Sequence, residues 1–361
     1  MTQDPFARVR AAIDAFAEGR IVVVTDDDDR ENEGDLIFAA THATPEKLAF
    51  TIRHTSGIVC APLTSDEARR LNLTPMVSHN DAPMQTAFTV SVDVKGTTTG
   101  ISADERTQTV RALANGNMGA GDFVRPGHVF PLIAKDGGVL MRSGHTEAAV
   151  DLCKLAGLPP VGVIAELVND DGTVMRGPQV TGFATQHELP QISVAELIAY
   201  RQSREKLVTR VSEFPVETAI GTLKGYAYVT PFDQVHHIAV VHGDISSGTH
   251  IPARLHRADV IGDVFGGGRT VRAAFRHFEK SGRGVLVFLR DGTAGVPVNT
   301  PGDGDSSEAK RADQWKDIGL GAQILKDLGV SSIRLLASKE RRYVGLQGFG
   351  IEIEDTEKLE G

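Results

Sequence analysis

The densest chemistry in the sequence is the run Asp26-Asp27-Asp28-Asp29-Arg30-Glu31-Asn32-Glu33-Gly34-Asp35, in which seven of ten side chains are carboxylates. So many anions side by side repel one another unless a cation sits among them, and hard divalent ions such as Mg²⁺ take oxygen ligands. The run follows the β-type stretch Ile21–Thr25, and loops at strand ends are where α/β proteins mount ligand sites. An EF-hand does not fit. Counting from Asp26, Arg30 and Glu31 stand where an oxygen ligand and a glycine belong. Taken alone, the run also fits a solvated acidic loop.

A second constellation is Arg142-Ser143-Gly144-His145-Thr146, between a strand-like stretch and a helical one. Gly144 lets backbone approach a ligand, and a helix start offers unpaired N–H groups at the positive end of the dipole. Arg142 is a bidentate donor suited to phosphate, and His145 can ligate a metal or move a proton. The plain alternative is a strand-to-helix turn capped by Thr146. Two further groups stand out. Arg125-Pro126-Gly127-His128 delivers a histidine at the start of an apolar strand, a position that is also common for structural histidines. Glu166 interrupts the apolar run Val161–Val168, and an acid buried there must face a ligand or find a partner.

The sequence contains no GxxxxGK[ST], GxGxxG, HExxH or GxSxG motif, which removes weight from P-loop hydrolysis, Rossmann hydride transfer, zinc proteolysis and serine hydrolysis. A metal-binding acidic loop, a phosphate-type turn and acids on strand ends suit metal-assisted acid–base chemistry on a small phosphorylated compound.

The elements that must position these groups alternate between strand and helix. Asp4 and Pro5 open a helix ending at Gly19, and Thr44-Pro45 opens another. Ser102 and Glu105 predict a capping box before a helix through Leu113, and Thr146–Ala156 reads as helical. Strands are expected at Gly57–Leu63, His128–Ala134, Val139–Arg142 and Val161–Val168. After a helix from about Ser193 and the charged stretch Arg201–Arg210, strand-like segments recur at Tyr226–Val229, Ile238–Val241, Ala253–His256, Val285–Leu289 and Ile333–Ala337. A loop at Thr300–Glu308 and a helix at Ala312–Leu328 complete this part.

At 361 residues the chain is long enough for two domains, given about 150 residues for each. A net charge of −9 argues against nucleic acid as a partner. Two distant cysteines, Cys60 and Cys153, make no disulfide framework. No apolar signal core or membrane-spanning run is found, so a soluble, cytoplasmic protein without a membrane partner is expected.

Taken together these residues resemble 3,4-dihydroxy-2-butanone-4-phosphate synthase of riboflavin biosynthesis. The matching pieces are Asp29–Asp35, Gly57-Ile58-Val59-Cys60, Thr98-Thr99-Gly100, Arg125–Leu132, Gly144-His145-Thr146-Glu147-Ala148 and Glu166–Gly172, in order over roughly residues 5–205. The resemblance implies conversion of ribulose 5-phosphate into 3,4-dihydroxy-2-butanone 4-phosphate and formate, with Mg²⁺ or Mn²⁺, by a homodimer. It implies Glu31 and His145 as metal ligands. Arg30, Glu31, Asp35, Glu166 and the turn Arg142, Ser143, Gly144, His145 and Thr146 become the substrate site, and His128, Glu166 and Asp35 the catalytic residues. The chemistry suits such a set, because enediol formation needs a base for a carbon-bound proton and a cation near the developing oxyanion.

The second half resembles GTP cyclohydrolase II through Ile261–Gly266, Gly282–Val285 and Ile318–Val330. Where that family holds zinc with three cysteines, Asp259, Thr270 and Arg272 stand here, and its Gln-Glu-Gly-Arg-Gly stretch is the shorter Asp291-Gly292-Thr293-Ala294-Gly295. The expectation is therefore a two-domain α/β (α+β) chain. A synthase-type α/β sandwich with a mixed sheet spans residues 1–210, and a cyclohydrolase II-like α/β domain without zinc or zinc catalysis spans 211–361. The alternative is a bifunctional enzyme with an unfamiliar zinc site drawn from His236, His237, His242, His250 or His256.

Overall fold

Short runs of branched apolar residues make the seven strands of the first sheet. They are β1 (Val22–Thr25), β2 (Gly34–Ala39), β3 (Cys60–Leu63), β4 (Val92–Val94), β5 (Phe123–Ile133), β6 (Gly162–Glu166) and β7 (Gln191–Ser193). They are hydrogen-bonded in the order β4-β5-β3-β6-β2-β1-β7, with β1–β7 and β3–β5 parallel and the other pairs antiparallel. The computed structural model describes residues 6–26, 31–231, 235–290, 319–337 and 351–359. The chain divides into two units between Tyr200 and Arg201, ahead of the position near residue 210 expected from the charged stretch.

Helices of the first unit are α1 (Ala7–Ala17), α2 (Pro45–His54), α3 (Ser65–Arg70), α4 (Ala103–Leu113), α5 (His145–Leu155) and α6 (Pro178–Gln186), and α7 (Val194–Arg204) leads out of it. Side chains alternate along a strand, so the two faces of the sheet have different neighbours. Val23, Leu36, Phe38 and Val163 join one core with Leu48 of α2 and Val110 of α4. On the other face α5 packs against β1, β2, β3 and β6, with α1 beside it. Burying such surface contributes roughly 25 cal/mol per Å² of apolar area. Both cysteines are buried; burial drives the Cys60 thiol pKa upward and pushes that of Cys153 up to about 12.

One local expectation is corrected. Val139–Arg142 is not a strand; residues Gly138–Leu140 form a 3₁₀ turn. Gly137 and Gly138 take φ of +94° and +64°, and the Val139 N–H donates to the Asp151 carboxylate at 2.8 Å, which uses up a strand's ladder group. At α4 Ser102 and Glu105 pair as expected: Ser102 Oγ accepts the Glu105 N–H at 3.1 Å, and the Glu105 carboxylate reaches back to Ser102 Oγ (3.1 Å) while also accepting from Thr98 N (2.5 Å), Thr98 Oγ1 (2.7 Å) and Gly100 N (3.1 Å). Asp4, Pro5 and the loops at 291–295 and 300–308 lie outside the described residues, as does the 312–318 part of the expected helix.

The second unit is another seven-stranded mixed sheet. It contains β8 (Thr209–Thr218), β9 (Gly221–Val229), β10 (His237–His242), β11 (Ile251–Arg257), β12 (Gly284–Leu289), β13 (Ser332–Ala337) and β14 (Glu352–Lys358), in the order β14-β13-β11-β12-β10-β9-β8. Helix α8 (Arg269–Ser281) packs against β11 and β12, and Phe278 on it joins Val240, Leu286 and Leu336 in the core. A further helix, α9, spans residues 319–327.

Candidate active site

Four acids and a histidine reach one end of the first sheet by separate routes. Asp26 follows β1, Glu31 stands where the acidic loop returns, Asp35 is on β2, Glu166 ends β6, and His145 is the first residue of α5. In the ladder Asp35 lies between Val24 and Glu166. Residues directly opposite across strands project to the same face, and here that face is the one α5 covers. Gly34, beside Asp35, has to be glycine: a Cβ there would meet Val180 Cγ1 at 2.4 Å.

His145 Nδ1 is 3.7 Å from Asp35 Oδ1 and 3.8 Å from Glu31 Oε2. One oxygen each from Asp26 and Glu31 and a ring nitrogen of His145 lie within 4.8 Å of one another. Asp35 is buried, and its Oδ1 accepts no hydrogen bond among the described residues. Burial pushes its carboxyl up to about 8; His145 opposes this, while Glu166, Glu31 and Asp26 add to it. Glu33 is raised as well, by burial and then by Glu31 and Glu166, with Arg176 opposing. A buried acid among acids needs a proton or a cation, and a donor set of carboxylates with one imidazole fits Mg²⁺ or Mn²⁺.

Glu166 accepts from Ser56 Oγ at 2.7 Å, which orients its carboxylate. Gly144 is the N-cap of α5, with no side-chain cap from Thr146. Arg142 lies across this helix start, where a Cβ on Gly144 would meet its Nη1 at 2.3 Å. Its guanidinium donates to Glu147 Oε2 (2.7 Å), Met84 O (3.0 Å) and Thr86 Oγ1 (3.3 Å). Ser143 is half-buried and Thr146 buried beside it. His128 stands on β5, two strands from β6 in sheet order, with its Nδ1 2.8 Å from Asp93 Oδ2 and its backbone N–H donating to Asp93 Oδ1. Arg30 lies outside the described residues.

Sequence reasoning did not single out Asp26 as distinct within its run, nor Asp93 or Ser56. Asp93 carried a usable signal, a lone acid between two valines in Val92-Asp93-Val94, of the same kind that marked Glu166.

The family model for 3,4-dihydroxy-2-butanone 4-phosphate synthase matches residues 10–200. The chain belongs to that family. The model for GTP cyclohydrolase II matches residues 209–358, so the chain joins two domains of riboflavin biosynthesis. The riboflavin biosynthesis protein RibBA of Bacillus mycoides is 45% identical over 98% of this chain and 94% of its own. A crystal structure of RibBX from A. baumannii, a two-domain 3,4-dihydroxy-2-butanone 4-phosphate synthase, matches with a TM-score of 0.83 at 36% identity. It covers 98% of this chain and 100% of that one. A synthase crystallised with two magnesium ions is 45% identical, covering 54% of this chain and 97% of its own, with a TM-score of 0.53. The synthase is thus a lyase-type enzyme built on two α/β units with mixed sheets.

Of the three positions in the second domain expected to stand in place of zinc cysteines, Asp259 is held in its own turn. Asp259 Oδ1 accepts from Gly262 N at 3.1 Å, and Asp259 N donates to Asp263, which also takes the His256 ring at 2.9 Å. Thr270 and Arg272 lie in the first turn of α8. His250 pairs with Glu354, and Arg290 N donates to His237 Nδ1 at 3.1 Å.

Proposed function

We propose that the first domain converts D-ribulose 5-phosphate into L-3,4-dihydroxy-2-butanone 4-phosphate and formate, using Mg²⁺ or Mn²⁺ held by Glu31 and His145. The observation that carries this is the cluster of Asp26, Glu31 and His145 beside the buried Asp35. When bound, the cation supplies positive charge for the anionic oxygens of the substrate. Asp35, buried beside the metal pair with its carboxyl raised far above the ordinary range, is the first proton-transfer group. Glu166, aimed by Ser56, is the second proton-transfer group. The backbone N–H groups from Ser143 to Thr146 receive the phosphate at the α5 N-terminus, with Arg142 closing the turn and Arg30 adding a cation from the acidic loop. Asp93 fixes the tautomer of His128, the remaining catalytic group.

The same reading makes the enzyme a cytoplasmic homodimer acting on a small sugar phosphate. Sedimentation of the purified chain tests the dimer. Among the described residues no helix is long and apolar enough to cross a membrane. The deciding assay is formate release from ribulose 5-phosphate. Glu31→Gln and His145→Ala should each lose about 10²-fold or more at saturating Mg²⁺. Near-normal turnover in either variant would remove the assignment.

The second domain, on this reading, carries no zinc and does not open the GTP ring. Asp259 is engaged in its own turn, Thr270 is a weak neutral ligand, and Arg272 puts a fixed positive charge where a dication would sit. The bifunctional reading has one observation in its favour, the RibBA name of the similar Bacillus proteins. GTP turnover above a no-enzyme control, or one zinc per chain, would establish it.

A further inference from the structure

We propose that Asp26 is a positioning residue for the metal ligand Glu31, acting through two backbone amides; this rests on the reading of Glu31 and His145 as the metal pair. Asp26 is the first residue after β1 and is 6% exposed. Its Oδ2 accepts the Glu31 N–H at 3.0 Å and its Oδ1 accepts the Glu33 N–H at 2.8 Å. Its own N–H donates to Glu33 O at 3.3 Å. Asp26 therefore ties these residues to the end of β1, its carboxylate holding the amides of Glu31 and Glu33 and its own N–H the carbonyl of Glu33.

The loop needs such a device. Glu31, Glu33, Asp35 and Glu166 repel one another, and Glu31 has no strand or helix to hold its Cα. Without the clamp, repulsion would drive Glu31 outward, away from His145, which α5 holds in place. A charged acceptor makes roughly twice as strong a bond to an amide as a neutral one does, and it can serve both amides at once. Asparagine at this position has one acceptor oxygen, so it can hold only one of the two. Supporting groups of this kind commonly contribute 10- to 100-fold to metal affinity.

The test uses the full chain and two readouts other than turnover. Mn²⁺ binding, followed by electron paramagnetic resonance, should weaken by about 10- to 100-fold in Asp26→Asn. In the metal-free wild type, hydrogen-exchange mass spectrometry should show protected amides at Glu31 and Glu33, and Asp26→Asn should lose that protection while peptides from α5 keep theirs. Asp26→Glu should recover part of the affinity. Equal Mn²⁺ affinity in wild type and Asp26→Asn overturns the proposal. So does lost affinity with amide protection unchanged, which would make Asp26 a direct ligand. Exposed Glu31 and Glu33 amides in the wild type overturn it even if the variant does not fold. The underlying reading has a separate failure: Mn²⁺ affinity that Glu31→Gln and His145→Ala leave unaltered.

Discussion

Asp35 is a side chain whose burial works against the fold, and on the proposed reading it is kept for the chemistry. Its carboxyl stands near 8 against an ordinary value of 3.8, because burial disfavours the charged form. Between those limits the folded chain keeps a proton that the unfolded chain releases. The stability this group contributes is therefore complete below about pH 3.8 and is lost as the pH rises through 8. In the metal-free protein, Asp35→Asn should match wild type at pH 4 and melt higher at pH 8, by about 2 °C or more in calorimetry. The same variant should release no formate. A wild type that is the more stable of the two at pH 8 would contradict the burial argument. The sequence made the carboxylates of this segment visible, but not which of them is buried. Asp26 and Asp35 differ from their neighbours only through strand register and the amides they meet, and neither is written in residue type.

At the scale of elements, periodicity located most of the strands around the site, because their two buried faces leave long apolar runs. It missed β4, β7, β8 and β14. β8 and β14 are largely exposed, β4 and β7 are only three residues long, and β4 has a buried acid at its centre. It also missed α8, whose many basic residues hide its apolar stripe. The β4–β5 pairing that carries His128 depends on Gly127, where a Cβ would lie 2.0 Å from the Val92 carbonyl carbon and 2.2 Å from Asp93 N. Gly127→Ala should destabilise the first domain by about 1–3 kcal/mol, read by urea unfolding. It should lower turnover while leaving Mn²⁺ affinity near wild type, since neither of the proposed metal ligands, Glu31 and His145, is on these strands. The Thr98–Gly100 turn beside them is held by Glu105, whose carboxyl sits down at about 2 because Thr98 and Ser102 hydrogen-bond its charged form. Its contribution is present above pH 4.5 and is lost as the pH falls toward 2. The urea midpoint gap between wild type and Glu105→Gln should accordingly be widest near neutrality and shrink in acid.

The whole molecule joins two sheets of seven strands, each with its own helices and core. A chain ending at residue 206, after α7, should fold and keep formate release from ribulose 5-phosphate, because all the residues of the candidate site lie before the division at Tyr200. An insoluble or inactive fragment would assign the second domain a supporting role. The two free thiols also lie in the first domain, buried and with their pKa values driven up, and no cysteine follows Cys153. Thiolate is the reactive form, so a disulfide reagent added to the native protein meets nothing it can modify at neutral pH. Labelling then has to wait for the first domain to open, and opening of the second domain leaves no mark. The colour released by such a reagent is a clock for one domain inside an intact two-domain chain. Purification and storage should need no reducing agent.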